Sequence, residues 1–90
     1  MYAIEWNEKN PNYSSDEKER STFLKVQENY INRLLAVRGY IYMNQIFELL
    51  CAQWNPDNEN VCIRFMEQYA YHQITFEVFS DRIEILYPYI

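Results

Sequence analysis

A single glycine, Gly39, in a chain of ninety residues leaves no basis for a glycine-rich phosphate loop. Two cysteines, Cys51 and Cys62, are too few to staple a domain, and neither stands in a Cys-x-x-Cys or Cys/His arrangement with metal-ligand spacing. Free buried thiols are the expectation, with a disulfide between the two as the minor alternative. No apolar run approaches the roughly 20 residues that a membrane-spanning helix needs. The opening Met1-Tyr2-Ala3-Ile4-Glu5-Trp6 lacks the basic leader of a secretory signal. These absences predict a cytosolic protein.

Basic charge is scarce as well. Eight Lys and Arg stand against thirteen Asp and Glu, a formal net charge of −5 at pH 7. A nucleic-acid binder shows a basic stripe for phosphate neutralisation, and this chain has none, so direct binding of DNA or RNA is not expected. Residues 54–90 hold six acids (Asp57, Glu59, Glu67, Glu77, Asp81, Glu84) against two bases, Arg64 and Arg82, which makes the C-terminal part the acidic part.

What is present points to a folded chain. Hydrophobic residues make up 49% and aromatics 18%, against 23% charged, which excludes disorder as a description of the whole. Ninety residues form one domain, 1–90, and a chain of this length buries only about two-thirds of its unfolded surface around one core.

Along the chain, Tyr2-Ala3-Ile4-Glu5-Trp6 alternates in the period of a half-buried strand. Asn10-Pro11-Asn12 reads as a loop. Ser14 stands three residues before Glu17 and Ser15 precedes Asp16-Glu17, a capping-box pattern that starts a helix. Phe23, Val26, Tyr30, Leu34 and Val37, widened by Ile31 and Leu35, recur at the spacing of one apolar helical face. Gly39 is placed to end the helix in the left-handed conformation. Tyr40-Ile41-Tyr42 reads as a brief extended segment, followed by a helix of two to three turns that finishes near Trp54. The turn Asn55-Pro56-Asp57-Asn58 then opens a β-rich half. In it Val61, Ile63 and Phe65 share one strand face, and Ile74, Phe76 and Val78 share another, with Thr75 and Glu77 opposite. The run Ile83-Glu84-Ile85-Leu86-Tyr87 pairs with the preceding one as a hairpin across Ser80-Asp81 and stops at Pro88. The reading is an α+β fold of order β-α-α-β-β-β, its N-terminal strand and three C-terminal strands in one antiparallel sheet, with one long and one short helix on one face.

Candidates for chemistry are few. His72, the only histidine, sits between two strands and is expected to be an exposed loop or strand-edge residue, because no nucleophile or metal co-ligand pattern accompanies it. Cys51 lies at the apolar end of a helix, so a packed core cysteine is expected rather than a nucleophile. No enzyme activity, metal or cofactor is predicted. Glu77 and Glu84 fall opposite the apolar strand faces, on the solvent side with Asp81 between them. That makes either an acidic binding surface or an ordinary solvated strand face. Nine tyrosines supply apolar area with a hydroxyl, the combination favoured at protein interfaces, and Tyr69, Tyr71, Tyr87 and Tyr89 lie near strand ends or in a loop. The partner-binding set is therefore Glu67, Tyr69, Tyr71, Glu77, Asp81, Glu84 and Tyr87.

The stretch Asn32-Arg33…Arg38-Gly39-Tyr40…Asn44…Phe47-Glu48-Leu49-Leu50 resembles a motif of small uncharacterised proteins from Firmicute phages and mobile elements. It covers about a fifth of the chain and departs from the family pattern at Cys51, where those proteins usually have glycine. The resemblance implies an origin on a phage or integrated element and carries no assigned activity to any residue. With the acidity, it leads to an anti-CRISPR-like inhibitor that binds a host protein with a basic nucleic-acid-binding surface. The alternative is a phage structural or assembly accessory that forms homo-oligomers through its aromatic surface. A small hydrolase or ligand-binding enzyme, with a pocket on His72 or Cys51, is the third.

Overall fold

The structure, a computed structural model, describes residues 2–88, with the side chains of residues 70–72 outside the description. Strand β1 (Tyr2–Glu5) buries Ile4 and is followed by the buried Trp6, as the alternation predicts. Helix α1 runs over Glu17–Arg38. Its N-cap is Asp16 rather than a serine: Asp16 Oδ1 accepts from the Lys18 N–H at 2.8 Å and the Glu19 N–H at 3.3 Å. Ser14 instead donates to Glu19 and accepts from the Asp16 N–H. A carboxylate at this end also complements the helix dipole. Gly39 ends α1 at φ 88°, with its N–H on the Leu35 carbonyl, as expected of the lone glycine.

Helix α1 buries Leu24, Ile31, Asn32 and Leu35. This corrects the expected stripe, since Val26 is 54% exposed, Tyr30 50% and Val37 81%, while Phe23 and Leu34 are half-buried at its border. The helix carries two apolar faces, and the more regular of the two points outward.

Strand β2 (Tyr40–Tyr42) and helix α2 (Met43–Leu49) follow without a break. Gln45 at the third position of α2 takes the Tyr42 N–H at 3.0 Å, closing its first turn. Helix α2 ends at Leu49, short of Trp54, because Cys51 turns the chain into the left-handed region at φ 56°. The Ala52 N–H reaches the Phe47 carbonyl at 2.8 Å and the Cys51 N–H reaches that of Glu48 at 3.0 Å, the pair of bonds of a Schellman ending. Cys51 thus occupies the position that glycine fills without steric cost, and it is exposed rather than packed in the core. Both cysteines are free, with Cys62 half-buried.

After a 3-10 turn at Pro56–Asn58 come strand β3 (Cys62–Arg64), a second 3-10 segment at Glu67–His72, and strands β4 (Thr75–Val78) and β5 (Arg82–Leu86). The molecule is α+β with antiparallel strands from both ends of the chain, but the strands divide into two sheets. One has the order β1-β5-β4, and the other pairs β2 with β3. Strand β3 goes to β2 because Ile41 and Ile63 face each other in register and both are buried. The brief extended segment before α2 thereby acquires a partner from the β-rich half. Strands β4 and β5 form the expected hairpin, closed where the Phe79 N–H meets the Arg82 carbonyl at 2.8 Å.

The core gathers Ile4, Trp6, Leu24, Ile31, Leu35, Ile41, Ile46, Ile74, Ile83 and Ile85 with their neighbours from both sheets and both helices. Trp6 is stacked on Phe23 and meets Tyr13 edge-on. Inside this apolar setting, three amide side chains stand in for missing strand partners. Asn32 Oδ1 accepts the Ile74 N–H and Asn32 Nδ2 donates to the Ile74 carbonyl, both at 2.8 Å. Asn44 does the same for Asn55, at 3.2 and 3.1 Å. Gln73 Oε1 accepts the Met66 N–H at 2.7 Å while Nε2 donates to the Arg64 carbonyl. Each primary amide has one donor side and one acceptor side, as a peptide group does, so it can satisfy both backbone groups of a segment that has left its sheet.

Candidate protein-binding surface

The register of the three-stranded sheet decides what its outer face carries. Ile4, Ile83 and Ile85 turn inward, so Ala3 and Glu5 of β1, Arg82, Glu84 and Leu86 of β5, and Thr75 and Glu77 of β4 share the outer face. Across the strands Glu5 lies opposite Arg82, Ala3 opposite Glu84, and Glu84 opposite Glu77. With Asp81 in the adjoining turn, four carboxylates share this surface with Arg82. No helix covers this face: Ala3, Glu5, Thr75, Glu77 and Leu86 are exposed.

The carboxylates are not equivalent. Arg82 Nε donates to Glu84 Oε2 and Nη1 to Asp81 Oδ1, each at 3.0 Å, and its guanidinium lies 4.2 Å from the centre of the Phe79 ring. The hydrogen bond to Glu84 raises the Arg82 pKa above its already high ordinary value; desolvation opposes this and the bond to Asp81 adds to it. Arg82 is therefore a fixed positive charge. Glu84, expected on the solvent side, is on the outer face yet only 8% exposed, because it sits on the central strand with Arg82 folded along it. It is a buried counter-charge, and the carboxylates open to a partner are Glu77, Asp81 and Glu5. Glu5 was not singled out in the sequence; alternation puts it on the face of Ala3, and only the register of β1 on β5 sets it across from Arg82. Its Oε1 accepts from Asn7 Nδ2 at 2.7 Å, which leaves the other oxygen open.

Of the remaining expected residues, Glu67 and Tyr69 are exposed on the 3-10 segment before β4. Tyr71 and His72 fall on the same segment with side chains outside the described residues, and Tyr89 lies beyond the described residues altogether. Tyr87 is half-buried, 6.1 Å from Tyr2 between ring centres. The structure therefore groups Glu77, Asp81 and Glu84 on one surface and leaves Glu67 and Tyr69 on another segment. A further aromatic cluster escaped the sequence reading: Tyr40 and Tyr42 are both exposed, 5.7 Å apart in edge-on contact, with the Arg38 guanidinium 4.9 Å over Tyr40. Its signal was the Tyr-x-Tyr spacing, which puts both rings on the one face of β2 left open by Ile41.

A groove of about 460 Å³ runs between α1 and the edge strand β4, walled by Trp6, Tyr13, Leu24, Phe76 and Val78. Of its ionic groups, Glu28, Lys25 and Arg20 are engaged with other groups of the fold, while the Glu17 side chain has no partner among the described residues. Glu28 Oε2 accepts the Phe76 N–H at 3.0 Å and its other oxygen meets Lys25, while Arg20 donates to the Ser14 carbonyl and lies over Tyr13. Cys51 is in a different hollow, with its Sγ accepting from Asn12 Nδ2. Among the described residues there is no cluster of three His, Cys, Asp or Glu side chains able to hold a metal ion, and no helix long and apolar enough to cross a membrane.

Comparison with protein-family models, with curated proteins and with solved structures finds no match to this chain.

Proposed function

We propose that the protein is a non-catalytic binding module whose acidic sheet face engages a basic surface of another protein, in the setting of a phage or mobile element acting on a nucleic-acid-handling defence system of its host. The observation that carries the reading is the one-sided charge of an uncovered sheet: Glu5, Glu77 and Asp81 are exposed around Arg82, whose charge is already taken up by Glu84 and Asp81. Carboxylates on a flat, rigid strand surface occupy the places that phosphates take in a basic channel, and the field they create speeds encounter with a cationic partner. The surrounding apolar atoms of Ala3, Thr75 and Leu86 supply contact area between the charges.

The test is affinity capture from a host lysate with the tagged chain on parallel columns, one eluted with salt and the other with nucleic acid. The reading expects one basic nucleic-acid-binding protein that leaves the column with either eluant and that the combined Glu77→Lys and Asp81→Lys variant fails to capture. Capture that survives both eluants, or that the variant retains in full, contradicts it.

A further inference from the structure

Helix α1 has a second apolar stripe that the fold covers only in part, since Phe23 and Leu34 are half-buried against the core while Val26, Tyr30 and Val37 stay open. At 100° per residue, Phe23, Val26, Tyr30, Leu34 and Val37 fall within about 80° of arc. Val26, Tyr30 and Val37 are half exposed or more. Valine is a mediocre helix former, so its placement at two exposed positions does not serve the helix itself. The ionic side chains nearest the stripe are Glu19 and Arg33, with Arg20 and Arg38 about 40° beyond the edge opposite Arg33. Glu19 lies inside the arc one turn before Phe23, and Arg33 borders it near the other end, about 21 Å further along the axis at 1.5 Å per residue. Arg33 makes no hydrogen bond or ion pair among the described residues, whereas Glu19 uses one oxygen for Ser14 and keeps the other free.

The segment from Glu19 to Arg33, with an acid at one end, a base at the other and Phe23, Val26 and Tyr30 between, is complementary to itself turned end for end, and Leu34 and Val37 lie beyond it. We infer that the protein forms a two-fold homodimer through this stripe, with α1 antiparallel to α1 of the second copy. Val26 lies near the axis, Tyr30 packs on the partner's Phe23, and Glu19 pairs with the partner's Arg33 at both ends. An isologous contact of this kind closes on itself and satisfies two ion pairs with one pair of residues. The antiparallel arrangement also sets each helix dipole against the other's opposite end. The occupant is a second copy because both halves of the match, acid and base, are on the same helix. The inference is independent of the acidic sheet face, which belongs to other elements.

Sedimentation velocity of the full chain over a wide concentration range, at about 0.15 M salt to screen the shared negative charge, tests it. The wild type is expected to show a monomer–dimer equilibrium. Val26→Glu, which sets two carboxylates against each other at the axis, is expected to raise the dimer dissociation constant by at least about tenfold. Glu19→Arg and Arg33→Glu are each expected to weaken the dimer, and the two together to restore it. Positions 19, 26 and 33 are all exposed, so the monomer should keep its wild-type circular dichroism, and any shift in its thermal unfolding should be confined to the variants that alter Glu19, which lies in the first turn of α1 and accepts from Ser14. A wild type that is monomeric throughout, a dimer unmoved by Val26→Glu, or a double charge swap no better than its single variants would each overturn the inference.

Discussion

The polar groups inside the molecule and those on its sheet face follow opposite rules. Inside, Asn32, Asn44 and Gln73 are each matched to a backbone segment by one donated and one accepted hydrogen bond; Asn58 Nδ2 is the one buried side-chain atom left without a partner among the described residues. Outside, Glu77 opposes Glu84 across the hairpin, and a single arginine is shared between Glu84 and Asp81. A buried polar group without its partner costs the full desolvation of that group, so the interior amides are held to their roles by stability. An exposed carboxylate costs almost nothing when moved, so an excess of one sign at the surface is available for recognition. The two sets can be separated by substitution, because the interior set should change stability and the exterior set should change binding.

The largest effect is expected at Asn32. Asn32→Ala strands the Ile74 N–H and carbonyl within the core and should destabilise the fold by about 3 kcal/mol, read from urea unfolding. Gln73→Ala, which frees the Arg64 carbonyl and the Met66 N–H at a less enclosed place, should cost about 2 kcal/mol in the same measurement. At the end of α2 the sign reverses. Cys51→Gly removes the strain of a side chain at φ 56° and should raise stability by up to about 1 kcal/mol, offset in part by the lost contact with Asn12, with the melting temperature rising by a few degrees. The smallest change in stability is expected at Glu77. Glu77→Lys should stay within about 0.5 kcal/mol of the wild type, or gain slightly from the relieved opposition to Glu84. A loss of several kcal/mol there would erase the contrast between the two sets.

Much of the fold was legible because local chemistry decided it. Gly39 ended α1, the alternations of β1 and β5 put their isoleucines inward, and the short link at Ser80-Asp81 made the hairpin, although on the edge strand β4 the inward Val78 stays 55% exposed. The face of α1 was not legible. Its apolar residues lie on two stripes, and the buried one is interrupted by Glu28 and Asn32, which look like surface residues until Phe76 and Ile74 arrive from more than forty positions away. The separation of β3 from the main sheet depended on the same kind of distant match, with the three residues of β2. In the candidate site, alternation put Glu84 on the correct face of its strand. It could not show that Arg82, two residues earlier on the same face, would cover it. Glu5 was missed because its membership of the surface exists only through the register of β1 on β5.

The motif from Asn32 to Leu50 also gains a physical account. Asn32 and Asn44 clamp loop backbone, Gly39 supplies the left-handed turn, and Arg38 joins Tyr40 to Gln45. Cys51, just after the motif, stands in the left-handed position that favours glycine. These residues keep a helix, a turn and a second helix in register, and none of them lies on the acidic face.

Recognition through the exposed acids of the β1-β5-β4 face can be read from the association rate of the purified chain with its captured partner, measured at low and high salt for the wild type and for the variant carrying both Glu77→Lys and Asp81→Lys. The variant is expected to associate at least about tenfold more slowly at low salt, with the difference shrinking as salt screens the charges and with unfolding unchanged. Equal association rates at low salt, with both proteins folded, would contradict it.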